Sequence, residues 1–207
     1  MDNQIITLLN GFMIIKRRKQ IRLKKYDYSD KGWYFVTICT QNRECLLGNV
    51  INGKMIFNKF GQIVNEKINE LKKYKNINVD IYCVMPNHIH LILIIVGADP
   101  RVRLLSKYID SLPNNNFGST QGSTPTKNPS LGEYIKRLKT LTTYIYIENV
   151  KNNNWPKFQK RLWQRNYYEH IIRNEYSLFR IREYMRDNPM NWDEDRNNLS
   201  NQQPNGN

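Results

Sequence analysis

Apolar and β-branched residues crowd into short runs along this chain, and the runs alternate with segments whose apolar positions recur every three or four residues. Trp33-Tyr34-Phe35-Val36-Thr37-Ile38-Cys39-Thr40 has the composition of a central strand. Leu46 to Ile51 and Lys54 to Asn58 flank Asn52-Gly53, a strong turn pair, and read as a hairpin. From Lys59 to Lys75, Phe60, Ile63, Val64, Ile68 and Leu71 fall at helical spacing and predict an amphipathic helix. Val79 to Met85 reads as a strand, Pro86-Asn87 as a turn, and His88 to Val96 as an almost wholly apolar strand. Ser130-Leu131-Gly132-Glu133 is a capping box. It opens a second helix with the stripe Leu131, Tyr134, Ile135, Leu138, Leu141 and Ile145. Leu162 to Ile172 is extended, and Asn174 caps a last helix that runs to about Asn188, where Pro189 stops it.

This order of strand, helix, two strands, helix, strand is the βαββαβ order of a ferredoxin-like sandwich. The fold class expected is α+β, with a largely antiparallel central sheet and one additional C-terminal helix. The expected organisation is a basic N-terminal arm over residues 1–30, one domain over 31–192 and a disordered tail over 193–207. Residues 99–130, rich in Asn, Ser, Thr, Gly and Pro, read as a mobile surface insertion.

Composition sharpens this picture in two ways. The 207 residues are 40% apolar, enough for one ordinary core, and no internal repeat is visible. Lys and Arg outnumber Asp and Glu by 32 to 18, giving a net charge of +14. A positive potential of that size attracts polyanions, so nucleic acid is the expected partner, ahead of a merely soluble basic surface or a membrane. The arm concentrates the charge, since seven of the ten residues from Lys16 to Lys25 are basic. Cys39, Cys45 and Cys83 form no CxxC pair, which argues against a disulfide framework or zinc knuckle and fits a reducing cytoplasm. The apolar run Ile5 to Ile15 is too short to span a bilayer and precedes its basic cluster, so no export is expected. Met13 is a second candidate start.

Two of the three histidines, His88 and His90, stand two apart on a predicted strand, where alternation sends both side chains to one face. Convergent neutral imidazoles suit a divalent ion, but a useful site needs further ligands. The pair alone reads equally well as two ordinary strand residues. A binuclear zinc hydrolase is excluded by counting, because His170 is the one histidine left. His170 itself is expected to satisfy a core hydrogen bond. On the last helix, Tyr184 and Asn188 are four apart and share a face. Periodicity alone favours reading Tyr184 as a core aromatic flanking the stripe of Leu178, Ile181 and Met185.

Four blocks taken together carry more. Tyr34-Phe35-Val36-Thr37-Ile38-Cys39-Thr40-Gln41-Asn42-Arg43, Val84-Met85-Pro86-Asn87-His88-Ile89-His90, Trp163-Gln164-Arg165-Asn166-Tyr167-Tyr168-Glu169-His170-Ile171-Ile172-Arg173 and the segment Tyr184 to Pro189 stand in this order. In this they resemble the REP-associated tyrosine transposases, relatives of the single-strand insertion-sequence transposases of the HUH superfamily. The resemblance covers about residues 16 to 193. It implies that His88-Ile89-His90 is the HUH motif, that Tyr184 is the nucleophile, and that Asn188 takes the place of the third ligand to Mg²⁺ or Mn²⁺. The insertion-sequence enzymes look to have Gln at this last place, one methylene longer. Arg180 and Asn188 occupy the positions four before and four after Tyr184, so the chain looks like a one-tyrosine enzyme.

The expected activity is metal-dependent cleavage and rejoining of single-stranded, hairpin-forming DNA through a 5′-phosphotyrosine, by a cytoplasmic monomer or homodimer. Lys16, Arg17, Arg18, Lys19, Arg22, Lys24, Lys25, Lys136, Lys139 and Arg165 are the candidates for holding DNA. Trp163, Tyr167 or Tyr168 could stack unpaired bases, although each singly reads more readily as core. Two rivals are a mobile insertion-sequence transposase moving its own element and a domesticated nucleic-acid-binding protein that no longer cuts.

Overall fold

The computed structural model describes the backbone of residues 5–9 and 12–16, together with residues 26–74, 76–96 and 129–202. The basic arm from Arg17 to Lys25, most of the expected insertion at 99–130 and the end of the chain after 202 lie outside the described residues. In chain order the elements are β1 (Ile5–Leu9), β2 (Phe12–Lys16), β3 (Gly32–Cys39), β4 (Gly48–Ile51), β5 (Lys54–Phe57), α1 (Lys59–Leu71), β6 (Ile77–Val84), β7 (His88–Ile95), α2 (Leu131–Asn152), β8 (Tyr168–Ile172) and α3 (Glu175–Asp187). β1 and β2 pair with each other, as do β4 and β5. The β4–β5 turn holds Asn52 and Gly53 at φ of 51° and 68°, the left-handed pair that a two-residue hairpin demands.

The main sheet has the order β6-β7-β3-β8, with every adjacent pair antiparallel. This is the ferredoxin-like arrangement: the first strand of the motif lies between the third and the fourth. Each central strand serves both faces by alternation. Tyr34, Val36 and Ile38 of β3 and Ile89, Leu91 and Leu93 of β7 join the larger core with α1 and α2. Phe35 and Ile92 turn the other way and pack with Ile172 and with Met185 of α3. Burial on both faces explains why β7 reads as a continuous apolar run.

Local signals set the helix starts. Asn58 caps α1 by accepting from the Gly61 amide, Ser130 and Glu133 form the capping box of α2, and Asn174 caps α3 by accepting from the Ser177 amide. The stripe of α2 departs from expectation in its second half. Thr142 and Tyr146 are buried there, in place of Leu141 and Ile145. The cause is an aromatic cluster: Tyr146 sits edge-on to Phe60 and Trp155, and the Trp163 indole Nε1–H donates to Thr142 Oγ1 at 3.0 Å.

α3 lies on the opposite sheet face and is pinned at one point. Arg182 donates through Nε and Nη2 to the two oxygens of Asp80, at 2.8 and 2.6 Å. Asp80 sits at a register shift in β6 between Val79 and Tyr82. A bidentate pair of this kind fixes rotation as well as distance, so it orients the whole helix face.

Of the tail expected to be disordered over 193–207, residues 193–202 are described and are folded. Trp192–Glu194 and Leu199–Gln202 form 3₁₀ turns, and Asp195, Asn197 and Asn198 are buried. The segment stays down because its polar groups are used internally: Asp195 Oδ1 accepts from the Asn197 amide at 2.6 Å, and Asn198 Nδ2 donates to the Trp192 carbonyl. Among the described residues no helix is long and apolar enough to cross a membrane.

Gly61 marks the tightest approach between α1 and the loop before β4, because an added Cβ would run into the Leu47 carbonyl. Gly61→Ala should therefore destabilise the fold by about 1–3 kcal/mol, as overpacking does. Thermal unfolding followed by circular dichroism checks this; an unchanged melting temperature would show that the helix shifts at no cost.

Candidate active site

The Met85-Pro86-Asn87-His88 turn delivers both histidines to the face shared with α3. His88 and His90 are 0% and 1% exposed, and their Nε2 atoms lie 3.0 Å apart. Asn87 decides what His88 can do. Its Nδ2 donates to the carbonyls of Arg43 at 3.0 Å and Asn197 at 2.8 Å, which fixes the orientation of the amide. Asn87 Oδ1, 2.8 Å from His88 Nδ1, must then accept a hydrogen bond from the N–H of that nitrogen. The Nε2 lone pair of His88 is left facing His90. His90 Nδ1 lies 2.9 Å from Thr37 Oγ1, a hydroxyl able to donate or accept, so the tautomer of His90 can follow what its Nε2 meets.

Burial, and after it the charges of Arg43 and Arg196, push the His88 pKa down to about 3. His90 is driven down as well, by burial first and by its neighbour His88 next. Both rings are thus neutral at physiological pH, the form that binds a metal.

Asp195 completes the cluster. Its Oδ2 is 3.8 Å from His88 Nε2, and candidate ligand atoms of His88, His90 and Asp195 all lie within 4.8 Å of one another. Asn188, at the C-terminal end of α3, is 3% exposed and donates from Nδ2 to Asp195 Oδ2 at 3.1 Å. The Asn188 Oδ1 atom is buried without a hydrogen-bond partner, a costly state for an amide oxygen. Two imidazole nitrogens and a carboxylate make a mixed donor set that fits a divalent cation, and Asn188 adjoins it through its hydrogen bond to Asp195. Sequence reasoning brought His88, His90 and Asn188 together but missed Asp195. The signal available was the demand for another ligand, with acidic residues only a few positions beyond Asn188.

Tyr184 does not behave as a core aromatic. It is 44% exposed, while its neighbour Met185, at 1%, provides the anchor. Its hydroxyl lies 3.2 Å from His90 Nε2. Phe35 holds the two rings: it stacks on His90 at 5.3 Å and meets Tyr184 edge-on at 6.3 Å. The Tyr184 pKa is raised, by burial of the hydroxyl first and then by the charge of Asp195, while Arg196 and a hydrogen bond with Asn188 pull it the other way.

The predicted DNA contacts divide. Lys136 and Arg165 are exposed. Lys139 instead holds a loop, donating to the carbonyls of Gln164 and Asn166 at 2.9 and 3.0 Å, with the Tyr167 ring 5.7 Å from its ammonium. Trp163 cannot stack on bases. It is 5% exposed in the core, where its indole N–H needs Thr142 as acceptor. His170 is exposed on β8 and is not a core hydrogen-bonding residue. The arm residues Arg17, Arg18, Lys19, Arg22, Lys24 and Lys25, and the side chain of Lys16, lie outside the described residues.

No protein-family model matches the chain. A REP-associated tyrosine transposase, solved bound to a REP hairpin, superimposes with a TM-score of 0.51 at 18% identity. That match covers 83% of this chain and 73% of the transposase. The chain therefore shares the fold of this transposase. An uncharacterized protein of Haemophilus influenzae (strain Rd) is 34% identical over 187 residues, covering 87% of this chain and 93% of that protein. The chain belongs to the same family as this Haemophilus protein.

Because Asn87 both orients His88 and joins three segments, Asn87→Ala should lower stability by about 1–3 kcal/mol and weaken the site's affinity for a divalent cation, probed with Mn²⁺, about 10–100-fold. Thermal unfolding in chelator and calorimetric titration with Mn²⁺ measure the two effects separately. An unchanged Mn²⁺ affinity would show that the orientation of His88 does not depend on Asn87.

Proposed function

We propose that this chain is a metal-dependent endonuclease and strand transferase for single-stranded, hairpin-forming DNA, with Tyr184 as the nucleophile. The observation that carries the reading is the Tyr184 hydroxyl standing 3.2 Å from His90 Nε2, at the edge of two buried neutral imidazoles. A residue serving only to pack would not be half-exposed with its oxygen at that position. Hairpin DNA as the substrate class is supported by the hairpin bound to the structurally similar transposase and by the net charge of +14.

His88 and His90 through Nε2, with Asp195 and the Asn188 amide oxygen, are the residues that would hold Mg²⁺ or Mn²⁺. When bound, the ion supplies Lewis-acid stabilisation of the scissile phosphate and of the tyrosine's deprotonated form. The chain's own residues do the rest. Burial and the Asp195 charge raise the Tyr184 pKa and favour the protonated hydroxyl, so attack requires that proton to be removed. Phe35 fixes the ring of Tyr184 relative to His90, which limits the directions of attack. In the cleavage step the tyrosine oxygen bonds to phosphorus and the bond to the 3′-oxygen breaks. The phenolic proton is lost and the leaving oxygen gains one. The products are a 5′-phosphotyrosine and a free 3′-OH, and a second 3′-OH reverses the attack, rejoining strands without ATP.

One missing oxygen tests this reading. Tyr184→Phe should fold, keep its affinity for single-stranded DNA and form no covalent adduct, read on a denaturing gel with DNA labelled on the 5′-phosphate side of the cut and Mn²⁺ present. His88→Ala with His90→Ala should lower cleavage by at least about a hundredfold while leaving DNA affinity largely intact. An adduct that persists in Tyr184→Phe would move the nucleophile elsewhere, with Tyr167, Tyr168 and Tyr176 next in line.

A further inference from the structure

The sheet face that carries the site is not wholly covered. α3 packs over β6 on one side, whereas the opposite edge strand, β8, leaves Tyr168 and His170 exposed. Tyr168 stands directly opposite Thr37, the residue that holds His90, so its side chain lies on the face of the site. The ring is 45% exposed yet seated edge-on against Phe35, at 6.3 Å and 70°. Phe35 meets Tyr184 in the same way, at 6.3 Å and 81°. Two half-exposed tyrosines therefore share one buried phenylalanine, and one of them is the proposed nucleophile.

An aromatic ring held rigidly at its base with a face open to water is the form in which proteins offer stacking surfaces to unpaired bases. Charge at the ends of β8 suits the same occupant. Arg165 precedes the strand and Arg173 follows it; both are exposed, and neither pairs with a carboxylate among the described residues. The adjacent Tyr167 is no equivalent, because it packs against the larger core and lies beneath Lys139.

We propose that the open face of β8 is a track for single-stranded DNA. In it Tyr168 stacks on the base beside the phosphate presented to Tyr184, and Arg165 and Arg173 draw the backbone along the sheet edge. This rests on the reading of Tyr184 as a DNA nucleophile and adds to it a positioning residue. The step is sequence-tolerant, since every base has a π-face, and so it would act on whatever strand the rest of the protein selects.

The test uses the full-length protein and a fluorescein-labelled twenty-residue oligothymidylate, followed by anisotropy in chelator, so that neither metal nor cleavage enters. Tyr168→Ala should weaken binding about tenfold, and Tyr168→Phe should stay within about twofold of wild type, because stacking needs the ring and not the hydroxyl. A second measurement replaces one thymine with 5-iodouracil and irradiates; the crosslinked peptide, located by mass spectrometry, should carry the adduct on Tyr168. Wild-type affinity in Tyr168→Ala, or crosslinks that all fall elsewhere, would overturn the track. If Tyr168→Ala binds normally while wild type, in a separate reaction with hairpin DNA and Mn²⁺, still forms the Tyr184 adduct, the track alone falls. If wild type neither binds the oligonucleotide nor forms an adduct, the proposed function falls with it.

Discussion

The side-chain amide of Asn87 is the constraint on which the site depends. It is wholly buried, and every hydrogen-bonding capacity that matters is directed: two N–H groups to backbone carbonyls of Arg43 and Asn197, and the oxygen to His88 Nδ1. Those carbonyls belong to the turn after β3 and to the segment after α3. One amide therefore joins three parts of the chain and dictates which nitrogen of His88 carries the proton. The backbone carbonyl of Asn87 adds a fourth tie, accepting from the Thr40 amide and hydroxyl. Removing such a hub would leave several buried polar groups without partners at once, which costs far more than a single exposed hydrogen bond.

Around that hub the structure carries local strain. Asn42 and Arg43 are consecutive residues with φ of 54° and 56°, a left-handed conformation that side chains disfavour. The strain has a visible product: the Arg43 carbonyl is turned to Asn87, while its guanidinium donates to the Arg196 carbonyl at 3.1 Å. Arg43 thus helps hold down the segment that contributes Asp195, and its charge helps keep His88 neutral. Backbone geometry and electrostatics point to one outcome, a pair of unprotonated imidazoles beside a carboxylate.

The Tyr184 side of the site is organised by different forces. The Arg182–Asp80 pair sets the rotation of α3, and Met185 and Phe35 set its depth. Tyr184 is left partly in water and partly against His90, which keeps its oxygen near the imidazoles. The stacked contact of Phe35 with His90 links this arrangement to the sheet, so the two halves of the site cannot drift independently.

The sequence by itself determined whatever depends on spacing and local chemistry. Alternation placed His88 and His90 on one face, the turn pair Asn52-Gly53 made a hairpin, Ser130 and Glu133 made a capping box, and the order of elements made a ferredoxin-like sandwich. The tertiary structure decided what depends on contacts between distant segments. Asp195, in a stretch whose Asn-rich composition reads as tail, is buried because Asn87 reaches its neighbour Asn197 across the fold, and no local pattern encodes that reach. Trp163 became core rather than a stacking surface because Thr142, twenty-one residues away, faces its indole N–H. Lys139 became a loop clamp because two carbonyls converge on it. His170 and Tyr168 remained open because they lie on an edge strand, beyond the Ile172 end that packs with Met185 of α3. Side-chain periodicity is a property of the backbone and can be read along a chain. Which polar group meets which partner is settled only when the layers close and each buried donor must find an acceptor.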